Sequence, residues 1–417
     1  MKSLIILCGV LFINSITASF VNPYPKFESH SGIDGDFNGA EDLPLFITPL
    51  LESGKNVSEI QDMASVDLPE LKDFPSYSGF LTVDKKFNSN MFFWYFKAAV
   101  DSENAPVVLW LQGGPGASSL FGLFTENGPF EITKSNKVKA RKYSWHLNHN
   151  LIYIDNPVGT GFSFVDKDEG YARNEVDVGK NLYEGLQQFF TLFPALQKNK
   201  FFVTGESYAG KYVPAVCHTI HKKNGAAKLK INLHGMAIGN GLCDPLHQLK
   251  YGDYLFQLGL IDLIGMNTFH EYEKKGKECI EKKDFDCAFE VFDELINMDE
   301  RPSGSLFKNM TGFSTYFNYL KTEDDGADKS MGTFLKRTDV RKSIHVGNLT
   351  FHGLDGDENK VEEFLKKDVM DSVVPYLTEL INAYRVVNLI YLNSISSVFN
   401  LYIFSKRSFT TVNWTSL

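Results

Sequence analysis

Cysteine is scarce in this sequence of 417 residues, with five in total, and basic residues are fewer than acidic ones. The formal net charge of −9 leaves no basic stripe, so we expect no nucleic-acid partner. The cysteine spacing does not match a zinc site, and no other metal or cofactor is indicated. No internal repeat or long low-complexity tract is present. The hydrophobic share of 43% can bury a large core, in one large domain with an insertion or in two domains.

The sequence near the N-terminus also lacks an apolar run long enough to span a membrane. The run at 4–16 is too short for that, and it lies between Lys2 and the small residues at 17–19. This three-part pattern is typical of a secretory signal peptide at 1–18, with a signal anchor as the alternative. We therefore predict a protein of the secretory pathway, secreted or in a lysosome-like lumen, and do not expect membrane attachment.

Removal of that segment leaves four cysteines for an oxidising compartment. Cys279 and Cys287 lie close together in a charged stretch and are predicted to form a disulfide. Cys217 falls on a predicted helix, where a disulfide and a buried free thiol are equally compatible with the sequence. Four N-x-[ST] sequons fit a glycosylated lumenal protein. They begin at Asn56, Asn309, Asn348 and Asn413.

Short apolar runs dominate the first half of the chain. Those at 79–83 and 91–96 predict a pair of antiparallel strands. Three more are continuous and apolar, which is typical of strands buried on both faces of a parallel sheet. They lie at 107–111, 151–155 and 201–204. An amphipathic pattern at 174–193 predicts a helix between the last two, so the alternation indicates an α/β fold with an open sheet.

The remaining segments differ in character. Residues 20–75 are polar without a sustained period, whereas the part from about 243 is charged and helical in pattern, and a helix is predicted at 369–384. The predicted segments are a signal peptide (1–18), an N-terminal arm (19–75), a first core part (76–242), a helical cap insertion (243–335), a returning core segment (336–385) and an atypical tail (386–417).

The sequence G-E-S-Y-A-G at 205–210 contains the G-x-S-x-G pattern of a nucleophile elbow. It follows an apolar strand and precedes a helix predicted from about Lys211, which is the context that the elbow requires. Glycines permit the strained turn, and the turn holds the serine hydroxyl at the start of the helix. We therefore predict that Ser207 is the nucleophile of an α/β-hydrolase.

The segment W-L-Q-G-G-P-G at 110–116 follows another predicted strand. Its consecutive glycines allow backbone N–H groups to approach a substrate, which suits the second half of an oxyanion hole. The other donor is the N–H of the residue after the nucleophile. The predicted donors are Gly114 and Tyr208.

Together these segments resemble the serine carboxypeptidase family, with further matches at E-N-G-P (126–129) and D-N-P-V-G-T-G-F-S-F (155–164). The likeness runs from about residue 70 to about 384. It implies removal of single residues from peptide C-termini, which are the expected substrate. It also implies that Gln112, Gly113 and Glu206 bind the substrate carboxylate and that Glu126 hydrogen-bonds Glu206. Gln112 departs from the commoner asparagine, and Ala117 stands where many members carry cysteine.

The two glutamates suggest a dependence on acid pH. Two adjacent carboxyl groups cannot both ionise cheaply, so one pKa rises and the pair shares a proton. A shared proton lets Glu206 bind a substrate carboxylate without repulsion between like charges. Binding is therefore expected to be best at acid pH.

The expected triad Asp and His are not identified in the sequence. The family places them after a strand of the form V-L-I-Y and in a late Gly-Gly-His segment, but the last histidines here are His345 and His352. The end of the chain is thus truncated or altered relative to the family. The stretch at 386–405 is uncharged. Four explanations of this tail remain open, namely a membrane helix, buried strands, a splice variant and a gene-model error.

Three functions are compatible with this sequence. The first is a serine-type carboxypeptidase that acts through an acyl-enzyme on Ser207. The second is a catalytically impaired isoform or non-catalytic relative that binds peptide C-termini or another protein, because the triad Asp and His are missing. The third is acyl transfer on the same fold.

Overall fold

The computed structural model describes residues 43–297, 304–322, 329–353 and 360–389. The predicted signal peptide, most of the tail and the sequon at Asn413 lie outside these residues. The strands, in chain order, are β1 (Ser76–Asp84), β2 (Ser89–Phe96), β3 (Val107–Leu111), β4 (Phe130–Ile132), β5 (Val138–Ala140), β6 (Asn150–Ile154), β7 (Phe201–Glu206), β8 (Leu233–Gly239) and β9 (Arg385–Leu389).

Seven of these strands form one mixed sheet, in the order β1-β2-β6-β3-β7-β8-β9. Strand β2 runs antiparallel to both β1 and β6, so the predicted antiparallel pair is confirmed. All pairs from β6 to β9 are parallel. The carboxyl ends of β3 and β7 therefore meet at the same edge of the sheet, and the two motifs at 110–116 and 205–210 follow those ends.

Helices cover both faces of the sheet and form the cap. In chain order they are α1 (Ile47–Glu52), α2 (Val57–Ala64), α3 (Glu175–Leu192), α4 (Ala209–Lys223), α5 (Pro245–Gln248), α6 (Gly252–Gln257), α7 (Leu263–Glu281), α8 (Phe285–Phe292), α9 (Leu306–Thr311), α10 (Lys329–Lys336), α11 (Thr338–Ser343), α12 (Lys360–Val369) and α13 (Val374–Ala383).

The central strands form because their side chains are apolar on both faces. Every residue of β2 is buried, and the side chains alternate between two hydrophobic clusters. Phe93 and Tyr95 pack into the cluster beneath α3 and α4, whereas Phe92, Trp94 and Phe96 pack into the cluster on the opposite face. This period of two is that of a pleated strand with a core on each side.

Helix α3 begins where the sequence predicts it. The side chain of Asn174 accepts hydrogen bonds from the backbone N–H groups of Val176 and Asp177, which satisfies two donors that the first turn leaves free. Its buried side chains face the sheet, and the helix packs along α4. Residue 207 therefore lies at the carboxyl end of β7, where the chain enters α4.

The arm and the returning segment differ from the predicted pattern. Residues 43–75, for which no regular period was predicted, contain α1 and α2, and Ile47, Ile60 and Ala64 are buried against the core. The helix predicted from 369 begins at Val374, after the chain turns between α12 and α13. Short helices of this kind gain their stability from packing, so periodicity predicts them poorly.

The described part of 243–335 is mainly helical, and a disulfide between Cys279 and Cys287 joins the end of α7 to α8. Cys217 and Cys243 are buried free thiols. Helix α12 packs against α8 of the cap. Strand β9 pairs with β8 and continues across the predicted boundary between 385 and 386, so part of the predicted tail belongs to the sheet.

Candidate active site

Ser207 lies in the tight turn between β7 and α4, with a backbone φ of 59°. This left-handed conformation is strained for a residue with a side chain and is typical of a nucleophile elbow. Its N–H donates to the carbonyl of Gly239 (3.0 Å), and its carbonyl accepts from the N–H of Leu242 (3.0 Å). The end of β8 and the loop that follows it therefore hold the turn.

Two flanking glycines make this turn possible. A Cβ added at Gly205 would lie 2.5 Å from the carbonyl oxygen of Leu111, and one at Gly210 would lie 2.7 Å from the Cα of Gly241. Both distances are far below ordinary contact, so larger residues would force the strand and helix apart. The spacing of G-x-S-x-G follows from this close packing.

Gly113 brings the loop after β3 into direct contact with the elbow. A Cβ at Gly113 would lie 2.5 Å from the backbone nitrogen of Tyr208 and 2.9 Å from the Cβ of Ser207. The next residue, Gly114, has a φ of 113° and precedes a cis peptide bond to Pro115. The structure thus brings Gly114 and Tyr208, the two predicted oxyanion donors, to the rim of one cavity beside Ser207.

A chain of hydrogen bonds leads from β3 to the residue before Ser207. The indole N–H of Trp110 donates to Oε1 of Gln112 (3.0 Å), and Nε2 of Gln112 donates to Oε1 of Glu206 (2.7 Å). Glu206 in turn shares a side-chain hydrogen bond with Glu126. The three side chains predicted to recognise a carboxylate, Gln112, Glu206 and Glu126, therefore lie together with Gly113 beside Ser207.

The two glutamates are a coupled pair of buried carboxyl groups. Burial and the neighbouring Glu206 raise the pKa of Glu126 well above its usual value. Burial also raises the pKa of Glu206, although hydrogen bonds from Glu126 and Gln112 act in the opposite direction. A single proton held between the two carboxyl groups satisfies both effects.

Arg141 supports the turn that carries Glu126, and the sequence analysis did not identify it. Its guanidinium donates to the carbonyl oxygens of Phe124 (2.7 Å) and Gly128 (3.1 Å), which flank Glu126. Its positive charge also partly offsets the rise in the pKa of Glu126. No motif marked this residue, because its partners are backbone carbonyls that any sequence can supply.

Asp155, in the D-N-P-V-G motif, joins two loops at the site. Its carboxylate accepts from the hydroxyl of Ser118 (2.6 Å) and from the N–H groups of Ser119 (3.1 Å) and Phe162 (2.9 Å). A Cβ at Gly161 would lie 2.0 Å from that carboxylate, which explains the glycine. Asp155 thus holds the segment after Gly113 against the turn at 155–164, and burial raises its pKa to about 7.

The cavity beside Ser207 has an apolar wall and a polar floor. The floor consists of the elbow, the glycine loop and Asn240. Helix α12 contributes Glu362 and Val369. The cap contributes aromatic and aliphatic side chains, namely Tyr251, Phe289, Phe292, Ile296, Tyr316 and Phe317. Sequence reasoning did not find these cap residues, because they come from separate helices and form no motif.

The two late histidines, His345 and His352, form their contacts with residues other than Ser207. Nδ1 of His345 lies 2.9 Å from the hydroxyl of Ser78, and burial lowers the pKa of His345 to about 4. The backbone of His352 pairs with Gly161. Within residues 43–297, 304–322, 329–353 and 360–389, no histidine hydrogen-bonds the hydroxyl of Ser207.

Three predicted sequons lie in the described residues, and the asparagine of each is exposed. Asn56 caps α2, Asn309 lies on α9, and Asn348 follows α11. Throughout the described part of the chain, no helix is both long and apolar enough to cross a bilayer. In the same residues, no cluster of three His, Cys, Asp or Glu side chains is placed to hold a metal ion.

A mixed sheet with a serine at a strained strand-to-helix turn is the arrangement of an α/β-hydrolase. A solved structure agrees with this fold, that of KEX1(delta)p, a prohormone-processing carboxypeptidase from Saccharomyces cerevisiae. It superposes with a TM-score of 0.66 at 22% identity, over 81% of this chain and 79% of that chain. The protein therefore has an α/β-hydrolase fold.

The family follows from the sequence comparisons. The model of the serine carboxypeptidase family matches residues 67–416. Venom serine carboxypeptidase of Apis mellifera is 53% identical over 93% of this chain and 81% of its own length. Vitellogenic carboxypeptidase of Aedes aegypti is 51% identical (88% and 77%), and the probable serine carboxypeptidase CPVL of Homo sapiens is 44% identical (90% and 78%).

This chain belongs to the serine carboxypeptidase family, whose members are hydrolases and exopeptidases. The predicted end of the likeness at about residue 384 was too early, because the family match continues to residue 416. Strand β9 gives the physical reason, since residues 385–389 add a parallel strand to the sheet beside β8.

Proposed function

We propose that the protein removes C-terminal residues from peptides through an acyl-enzyme on Ser207. The observation that carries this proposal is the φ of 59° at Ser207, directly beside the glycine loop that ends in Gly114. That geometry supports a serine hydroxyl that faces the cavity, with the backbone N–H groups of the glycine loop and of Tyr208 as its neighbours. A left-handed φ also occurs at Lys283 and His345, so the support comes from its combination with the adjacent glycine loop.

The oxyanion hole is proposed to consist of the N–H groups of Gly114 and Tyr208. When the hydroxyl oxygen of Ser207 attacks the scissile carbonyl, negative charge develops on the carbonyl oxygen. Donors that already point at that position stabilise the charge without reorganisation, and one such donor is worth about 100- to 1,000-fold in rate. The general base that takes the serine proton is left unassigned.

The carboxylate network is proposed to select free C-termini. Gln112 and Glu206 are joined by a 2.7 Å hydrogen bond next to the nucleophile, and Gly113 contacts the same turn. A substrate carboxylate can accept a hydrogen bond from Glu206 only while Glu206 is protonated. A blocked terminus cannot accept these bonds in the same way, so the site favours exopeptidase cleavage.

Acid pH is proposed to favour binding for the same reason. The pKa of the Glu126–Glu206 pair is raised, so its proton is present at low pH and is lost as the pH rises through the raised value. Loss of that proton places a negative charge opposite the substrate carboxylate. The KM for substrate is therefore expected to rise on the alkaline side.

The test compares the full chain with its Ser207→Ala variant. Each is treated with a fluorophosphonate probe and assayed with an N-blocked dipeptide at acid pH. We expect labelling and release of the C-terminal amino acid from the first protein, and neither from the variant. Failure of the first protein to label above the variant would contradict the assignment of Ser207. Labelling that yields an acyl-acceptor product instead of free amino acid would indicate acyl transfer.

We also propose that the protein matures in the secretory pathway, in a lysosome-like lumen or outside the cell. The signal-like segment at 1–18, the Cys279–Cys287 disulfide and the exposed sequon asparagines support this. Expression in a eukaryotic secretory host, followed by glycosidase treatment and mass spectrometry, tests it. Recovery only in the cytosol, without glycan on Asn56, Asn309 or Asn348, would contradict the proposal.

A further inference from the structure

Directly behind the nucleophile, a buried cluster of polar side chains joins α4 to α12. The hydroxyl of Tyr208 donates to Oδ2 of Asp368 (2.7 Å), and Nζ of Lys211 lies 2.8 Å from the same oxygen. Lys211 also donates to the carbonyl oxygens of Asp368 and Asp371. One carboxylate from α12 therefore holds the residue that precedes α4 and one residue in the first turn of α4.

The burial of this cluster is nearly complete. The side chain of Lys211 is 0% exposed and that of Asp368 is 6% exposed. Removing two opposite charges from water costs free energy that their attraction only partly recovers, so a buried ion pair adds little to stability by itself. Here each charge has several partners, which is the condition under which a buried pair holds one precise geometry.

Glu175, at the start of α3, completes the cluster. Its backbone N–H donates to Oδ1 of Asp368 (3.2 Å), and its side chain lies within hydrogen-bonding reach of the same carboxylate. Burial and the nearby Asp368 raise the pKa of Glu175 well above its usual value. The starts of α3 and α4 thus converge on one carboxylate of α12.

Tyr208 connects this buried cluster to the proposed oxyanion hole. The backbone N–H of Tyr208 is a proposed oxyanion donor, and the phenol of the same residue is tied to Asp368. Helix α12, which carries Asp368, also contributes Glu362 and Val369 to the wall of the cavity. The position of the oxyanion donor is thus linked to the wall that a substrate side chain would contact.

We propose that Asp368 is a positioning residue that holds the oxyanion donor of Tyr208 through its phenol. This inference rests on the proposed role of Ser207 and its oxyanion hole. Asp368 does not touch the substrate, so its contribution is to the geometry of the transition state. A loosened donor lowers kcat and leaves KM nearly unchanged, because the interaction with the oxyanion exists only during the reaction.

The principal test is Tyr208→Phe in the full chain. This change removes only the phenol oxygen and leaves the backbone N–H and the Lys211–Asp368 ion pair in place. We expect kcat to fall about tenfold, with KM within about twofold and the melting temperature close to that of the parent. The maximum rate of fluorophosphonate labelling should fall in parallel.

A second comparison separates positioning from folding. Asp368→Asn should lower kcat in the parent but add little in the Tyr208→Phe background, because both changes break the same link. Asp371→Asn is the matched control, since its exposed side chain is outside the cluster while its carbonyl still binds Lys211. We expect that control to retain the parental kcat and KM.

The outcomes distinguish this inference from the proposed function. If the parent protein neither reacts with the fluorophosphonate probe nor releases amino acid, the proposed function is wrong, and the role proposed for Asp368 is wrong as well. If the parent is active but Tyr208→Phe keeps the parental kcat, Asp368 does not act through the phenol. Full additivity of Asp368→Asn and Tyr208→Phe in kcat would also overturn the proposal, because the two residues would then act separately.

Discussion

The contact between Gly113 and the elbow leads to a sharp prediction for Gly113→Ala. The added Cβ would lie 2.5 Å from the nitrogen of Tyr208 and 2.9 Å from both the carbonyl of Glu206 and the Cβ of Ser207. Ordinary Cβ contacts begin near 3.4 Å. All three neighbours are at the elbow, so the glycine loop and the nucleophile must move apart by about 1 Å, since none of these atoms belongs to a flexible side chain.

The expected cost to activity follows from that displacement. A shift of about 1 Å between reacting groups is worth about 100-fold in rate, so kcat/KM should fall by about two orders of magnitude. The clash should also lower the free energy of unfolding by about 1–3 kcal/mol, as overpacking does in other cores. The larger effect is on catalysis, because the displaced atoms include a proposed oxyanion donor.

The assay pairs kcat/KM on a blocked dipeptide with urea unfolding of the same preparation. Gly239→Ala is the matched control, because its added Cβ would meet the Cβ of Glu206 at 3.5 Å, an ordinary contact in the same site. We expect that control to change kcat/KM by less than about threefold. A Gly113→Ala variant that keeps kcat/KM within that range would refute the proposed geometry of the oxyanion hole.

Other predictions concern charge and burial. Glu206→Gln keeps a neutral donor at every pH, so the alkaline rise in KM should disappear; a KM that still rises over the parental range would assign the effect elsewhere. Cys217 and Cys243 should react with a thiol reagent only in denaturant, because burial raises both thiol pKa values, that of Cys243 to about 12; rapid native labelling would contradict this. Lys211→Met leaves the Asp368 charge buried without its ion-pair partner and should lower the free energy of unfolding by about 3–5 kcal/mol in urea; a loss below about 1 kcal/mol would show that the cluster tolerates it.

Local pattern was sufficient for the sheet and for the turn that carries Ser207. The apolar runs at 107–111, 151–155 and 201–204 match β3, β6 and β7 almost residue for residue. They are predictable because strands buried on both faces need a continuous apolar sequence. The turn at Ser207 was predictable because only glycine fits at 205 and 210, where a Cβ would meet backbone atoms.

Weakly periodic segments were harder to predict. Helices α1 and α2 have six and eight residues, which is too short to show a clear apolar period in the sequence. Their apolar side chains are recognised as one buried face only once the helices pack against the core. The start of α13 at Val374, with a proline in its first turn, depends on the turn that follows α12. Such short helices are stabilised by tertiary contacts more than by propensity.

By itself, the sequence determined the α/β class, the tight turn at Ser207 and the family, because these depend on residues that are adjacent along the chain. Only the tertiary structure showed that Glu126 and Glu206 share one buried site, and that Asp368 reaches Tyr208 across 160 positions. The physical reason is that a pKa shift or a buried ion pair depends on distance and on the exclusion of water. Ser207 marks the site in the sequence, but the fold decides which groups surround it.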